Sequence, residues 1–135
     1  MKAFWLASIT FVIAACSAHS PLILKNTTDY QPAPARGTRS SRTGPVFVTP
    51  DALEAGSYEE VGRIDIGHAW YGSSRGILDE LADRARERGA DVIMEAETWH
   101  QPSGWAWAAP HGRGIAVVLK TPSTFDAKRY RGEYH

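Results

Sequence analysis

The sequence predicts an α+β domain: a small sheet of about four strands in the order β-β-α-β-β, with one amphipathic helix packed on one face. Three observations carry this. Ile64 and Ile66 alternate with Arg63 and Asp65, the period-two pattern of a half-buried strand. Ile77, Leu78, Leu81, Ala82 and Ala85 fall on one helical face, and charged residues from Arg75 to Glu87 cover the other. Two further β-like runs, Val92 to Trp99 and Arg113 to Lys120, follow the helix. Several strands with a lone helix make an α+β layer.

In chain order, Val46-Phe47-Val48 is a short β-like run stopped by Pro50, and Asp51 to Glu54 suits one helical turn ended by Gly56. Tyr58 to Gly67 reads as a strand, with Gly62 marking a bulge. His68 to Ser73 is a loop. Ser73 or Ser74 caps a helix ending near Arg88, and Gly89 takes the positive φ just past its end. A long connection, His100 to Gly112, joins the last two strands. Thr121 to His135 reads as a polar, loose tail.

The chain has 135 residues, equal numbers of Lys+Arg and Asp+Glu, and one cysteine. The core must therefore hold without an intramolecular disulfide. Charge is uneven: residues 17–45 carry a net +3, and residues 46–135 a net −4. Neither part has the density of basic residues or the motifs of a nucleic-acid binder.

The N-terminus reads as a secretory signal. Met1-Lys2 is a positive start, and Ala3 to Ala15 runs without a charge. That run is shorter than the roughly 20 apolar residues a membrane span needs, and it ends in small residues. Ile13-Ala14-Ala15-Cys16 resembles the lipobox of bacterial lipoproteins. The resemblance implies cleavage after residue 15, a diacylglyceryl thioether on Cys16 and an acylated new amine. More than one chain holds a membrane stably. Ser17, rather than Asp, follows the cysteine, which in that family points to the outer membrane, facing the periplasm or the surface.

Residues 16–45 read as a basic linker containing Pro21, Pro32, Pro34 and Pro45, with no packed structure. Fully extended, it would reach on the order of 90–100 Å and lift a domain spanning residues 46–120 off the membrane.

Val46-Phe47-Val48-Thr49-Pro50, Tyr58 to Ile64, the junction Gly89-Ala90-Asp91-Val92-Ile93, and the strand Gly114 to Leu119 together resemble a family. It is that of YbjQ-like domains, described as heavy-metal-binding, and the related C-terminal domain of RcsF-like outer-membrane stress-sensing lipoproteins. The resemblance implies the fold, an envelope location, association with an outer-membrane barrel protein or other envelope partner, and, from YbjQ-like rings, a homo-oligomer. The disulfides of RcsF have no counterpart here, and the family pattern does not predict the Trp-rich connection.

The chemistry of single residues points to binding rather than catalysis. Gly72-Ser73-Ser74-Arg75-Gly76 matches the G-x-S-x-G pattern of a nucleophile elbow, but that elbow belongs to a much larger parallel sheet. His68, His100 and His111 fall in loops, where two or three imidazoles, with Glu95 or Glu97, would suit zinc, copper or nickel. Their spacing matches no metal motif, and solvated loop histidines are the plainer reading. Glu95 and Glu97 share one face of a strand, with no facing acid to make a glycosidase pair. Trp99, Trp105 and Trp107, with Trp70 and Tyr71 nearby, either close the end of a small core or form an exposed aromatic surface. The function expected is a lipid-anchored, non-enzymatic binding or stress-sensing module. The alternatives are a divalent-metal domain using the three histidines, or a structural lipoprotein holding peptidoglycan or a partner through its Trp-rich connection.

Overall fold

The computed structural model describes residues 17–34 and 39–135; the expected signal segment and Cys16 lie outside the described residues. The described chain is α+β, with one α-helix and a six-stranded mixed sheet. The strands are β1 (Thr27–Pro32), β2 (Phe47–Val48), β3 (Tyr58–Gly67), β4 (Val92–Ser103), β5 (Ala106–Leu119) and β6 (Glu133–Tyr134); α1 spans Ser74–Glu87. Their order across the sheet is β1-β3-β5-β4-β2-β6, with only β2 and β4 parallel.

The expected β-β-α-β-β elements correspond to β2, β3, α1, β4 and β5, and β3 keeps the bounds read from the sequence. Gly62 stands at a register shift between β3 and β5, where a Cβ would meet the Gln31 carbonyl at 2.5 Å and the Tyr30 ring at 2.6 Å. Ser73 caps α1 by accepting from the Gly76 amide at 3.1 Å. Gly89 follows with φ +72°, and a Cβ there would strike the Ser40 carbonyl. The helix buries Ile77, Leu81, Ala82 and Ala85 against Val61, Ile64, Ile66, Ile93 and Ala116 of the sheet.

Four expectations change, the smallest being that Asp51 to Glu54 form no helical turn. The supposed linker contributes β1, which pairs antiparallel with β3 from Thr27↔Gly67 to Pro32↔Gly62. Tyr30 tucks its hydroxyl onto the Val61 carbonyl at 2.9 Å and lies under the Arg88 guanidinium. Arg42 pairs with Asp91, and Arg39 with Glu59 at 3.0 Å. The basic leader therefore neutralises part of the acidic domain within one molecule. Composition concealed this, because the six-residue strand is polar and itself ends in Pro32, with the other Pro and the Ser residues outside it.

The tail is also ordered. Two 3-10 turns, Pro122–Thr124 and Ala127–Arg129, lead to β6, which pairs with β2. Phe125 and Tyr130 stack at 5.8 Å and close a second core on the face away from α1, around Phe47, Leu53, Val92, Met94 and Val117. Finally, the long connection is a hairpin. β4 and β5 stay paired to Ser103↔Ala106, so the turn is reduced to Gly104 and Trp105. Small residues here, Ala106, Ala108 and Ala109, permit strand as readily as loop.

Candidate functional site

The β4–β5 hairpin runs beyond the end of β3, whose last residue, Gly67, pairs with His111. Residues 17–26 lie over this extension. Gln101 Nε2 donates to the His19 carbonyl at 2.8 Å, Ser103 Oγ to the Ser20 carbonyl at 3.3 Å, and the Gly104 amide to the Pro21 carbonyl at 3.0 Å. The Ala18 amide donates to Asp29 Oδ2, and Ala18 is fully buried. A Cβ on Gly67 would stand 1.6 Å from the Ala18 carbonyl oxygen, so only glycine lets this segment seat.

Two constellations meet at this end of the domain. The first is a buried polar chain. Asp65 Oδ1 accepts from His19 Nε2 at 3.0 Å, and His19 Nδ1 lies 3.2 Å from His111 Nδ1. Trp99 packs on both rings, 4.7 Å from His19 and 6.0 Å from His111 between centroids. His111 is fully buried, and its Nε2 has no hydrogen-bond partner among the described residues. Burial, and then the neighbouring imidazoles of His19, His68 and His100, push its pKa down to about 4. His111 is therefore neutral at pH 7. A neutral His19 accepts its Nδ1 proton; a protonated His19 donates to it instead.

The histidines singled out from sequence lie near enough to act electrostatically on His111, but each makes its own contacts. Trp99 pairs across the hairpin with His111, and His100 with Pro110. Cross-strand partners share a face, so His100 and His111 point to opposite faces of the sheet. His68 instead bonds Glu80 Oε2 on α1 at 2.8 Å, and His100 Nε2 lies 3.4 Å from the Gly72 carbonyl. Among the described residues, no group of three or more His, Cys, Asp or Glu is arranged to hold a metal ion. Nor are His100 and His111 loop histidines: they lie within β4 and β5. Glu95 and Glu97 do share a face, lining a shallow depression with Arg63 and Arg113. Glu95 has φ +52° where β4 bulges, and Glu97 takes two bonds from Arg113 at 2.9 and 2.7 Å.

The second constellation is exposed and apolar. Trp107 is 83% exposed and Trp105 64%, with Trp70, Tyr71, Leu22 and Leu24 also exposed. Trp105 donates its indole N–H to the Leu24 carbonyl at 3.3 Å and its amide to the Ala69 carbonyl at 2.8 Å. Trp70 and Tyr71 meet edge to face at 5.7 Å. These contacts join the three segments into one surface. Trp99 is not part of it, being enclosed by His19 and His111 and lying 5.5 Å below the Arg113 guanidinium. Sequence reasoning passed over His19, Asp65, Leu22 and Leu24. Leu22 and Leu24 stood in the one apolar stretch of an otherwise polar leader, a usable signal; His19 and Asp65 are 46 positions apart, and only folding joins them.

No protein-family model matches the chain, and neither a curated protein nor a solved structure matches it.

Proposed function

We propose that this chain is a lipid-anchored lipoprotein of the bacterial outer membrane whose folded part is a non-enzymatic binding or sensing module. One observation carries the reading: the thirteen-residue uncharged run of Ala3 to Ala15 ends in Ile13-Ala14-Ala15 directly before Cys16, the single cysteine of the chain. A thiol at that place is what diacylglyceryl transfer to a lipoprotein requires, since the sulfur forms the thioether. The test is the mass of the mature protein recovered from envelopes. A diacylglyceryl adduct and a third acyl chain on Cys16, both lost in Cys16→Ser, are expected. A mature protein cut elsewhere, or carrying an unmodified Cys16, refutes the reading.

An RcsF-like plan is supported by what the junction Gly89-Ala90-Asp91-Val92-Ile93 does in the fold. Gly89 turns the chain out of α1, Ala90 and Ile93 are fully buried, and Asp91 accepts from the Leu119 amide at 2.9 Å and from Arg42. Four of the five residues of the stretch thus have a structural job in this fold. Cross-linking in cells separates the partner classes: recovery of a barrel protein favours sensing, and recovery of glycan fragments favours scaffolding. Zinc and copper titration of the Cys16→Ser chain tests the metal alternative. The separation of His100 from His111 across the sheet leads us to expect no heat at micromolar metal.

A further inference from the structure

We propose that the exposed apolar end of the domain, built from residues 20–25, 69–72 and 104–107, embeds in the interfacial region of the membrane that carries the Cys16 lipid. The proposal rests on the lipoprotein reading above and adds how the domain sits on its membrane.

Four observations carry it. The first is composition. The segments 17–26, 68–73 and 99–110 together hold one Lys, Arg, Asp or Glu, which is Lys25. Lys25 is exposed at the rim, where an ammonium meets anionic headgroups. The second is side-chain type. Leu22, Leu24, Trp70, Tyr71, Trp105 and Trp107 are all exposed, on three segments that Trp105 ties together through Leu24 and Ala69. Indole and phenol rings prefer the boundary between headgroups and acyl chains, with aliphatic residues reaching deeper.

The third is backbone chemistry. An unpaired amide is costly in a water-poor interface. Here the Gly104 and Trp105 amides donate to Pro21 and Ala69, the Ala69 amide to Asn26 Oδ1, and the Ile23 amide to Ser20. The Trp105 indole N–H is bonded as well. The turn thus presents its exposed indole over Gly104 and Trp105 amides that are paired within the protein.

The fourth is the position of the anchor. Cys16 is two residues from buried Ala18, a reach of about 7 Å. Ala18 sits against Gly67 and His111, and His111 is six strand positions from Trp105, about 20 Å. The lipid and the Trp105 turn therefore mark the two ends of one strip, and the hairpin extension lies along the membrane rather than standing on it. Packing of residues 17–34 removes the long spacer that would have held the domain away.

The experiment uses the mature, lipidated protein in vesicles of phosphatidylethanolamine and phosphatidylglycerol. In a Trp99→Phe background the remaining mature indoles, Trp70, Trp105 and Trp107, all belong to this surface. With lipids brominated high on their acyl chains, their emission is expected to move to shorter wavelength and lose most of its intensity, while aqueous acrylamide quenches weakly. A protein that carries the Cys16 adduct and floats with the vesicles, yet is quenched by acrylamide and untouched by brominated lipid, overturns the embedding and leaves the anchor standing. A mature mass without the adduct overturns the anchor, and the embedding with it. Photo-cross-linking from position 107 in cells adds a further arm: capture of phospholipid supports the proposal, and exclusive capture of a protein or of a second copy overturns it.

Discussion

Acid should loosen this domain through His111 in a way that can be calculated. The imidazole is fully buried and its folded pKa is about 4, against 6.5 for an ordinary histidine. Between those values the unfolded chain binds a proton that the folded chain refuses. Stability is therefore complete above pH 6.5 and falls as pH drops toward 4. Each unit of pKa difference is worth about 1.4 kcal/mol. Linkage then gives a loss of about 2 kcal/mol from pH 7 to 5, and about 3 kcal/mol by pH 4. That is a large share of the few kcal/mol by which small domains are stable. Urea unfolding of the Cys16→Ser mature chain, followed by Trp emission at several pH values, measures it. His111→Gln should start less stable at pH 7, having lost its fitted ring, but show a shallower slope between pH 6.5 and 4. If the variant and the parent lose stability in parallel over that range, His111 is not the group responsible and the reasoning fails. The window is separable from that of Asp51, whose carboxyl is held below the usual range by hydrogen bonds from Arg131 and titrates at still lower pH.

Other expectations follow from individual contacts. Gly67→Ala drives a methyl into the Ala18 carbonyl, so it should cost at least about 1–3 kcal/mol and speed proteolytic cleavage within residues 17–26. Asp91→Ala strands the Leu119 amide and removes the partner of Arg42; a loss of about 1–3 kcal/mol is expected in thermal or urea melts. Phe47→Ala empties the second core between Phe125 and Tyr134, at a cost of about 3–5 kcal/mol. Trp107→Ser, in contrast, should change stability by less than about 0.5 kcal/mol because the side chain is mostly exposed. A large destabilisation by Trp107→Ser would mean that the ring supports the fold rather than a membrane contact.

Much of the architecture was legible along the chain because it depends on near neighbours. The bounds of β3, the cap at Ser73, the apolar stripe of α1 and the turn at Gly89 all follow from local periodicity and local sterics. The edge strand Thr27–Pro32 did not, because its residues are polar and its pairing groups are backbone amides, which every sequence has. The tail was misread for a related reason. Phe125 and Tyr130 are isolated apolar residues in a charged segment, and their value depends on a sheet face that the segment itself does not reveal.

The candidate site divides in the same way. Sequence alone determined the uncharged run ending at Cys16, the shortage of charge around the Trp residues, and the single helix on a small sheet, since all are properties of composition and spacing. Tertiary structure decided which aromatic residues are exposed, and it set His100 and His111 on opposite faces of the sheet through the pleat of the hairpin. It also brought His19 onto His111 across 92 positions of chain. The lipid proposed for Cys16 is read from that residue's neighbours in sequence. The exposed aromatic surface arises only when Ala18 closes onto Gly67 and carries Leu22 and Leu24 to the turn at Trp105.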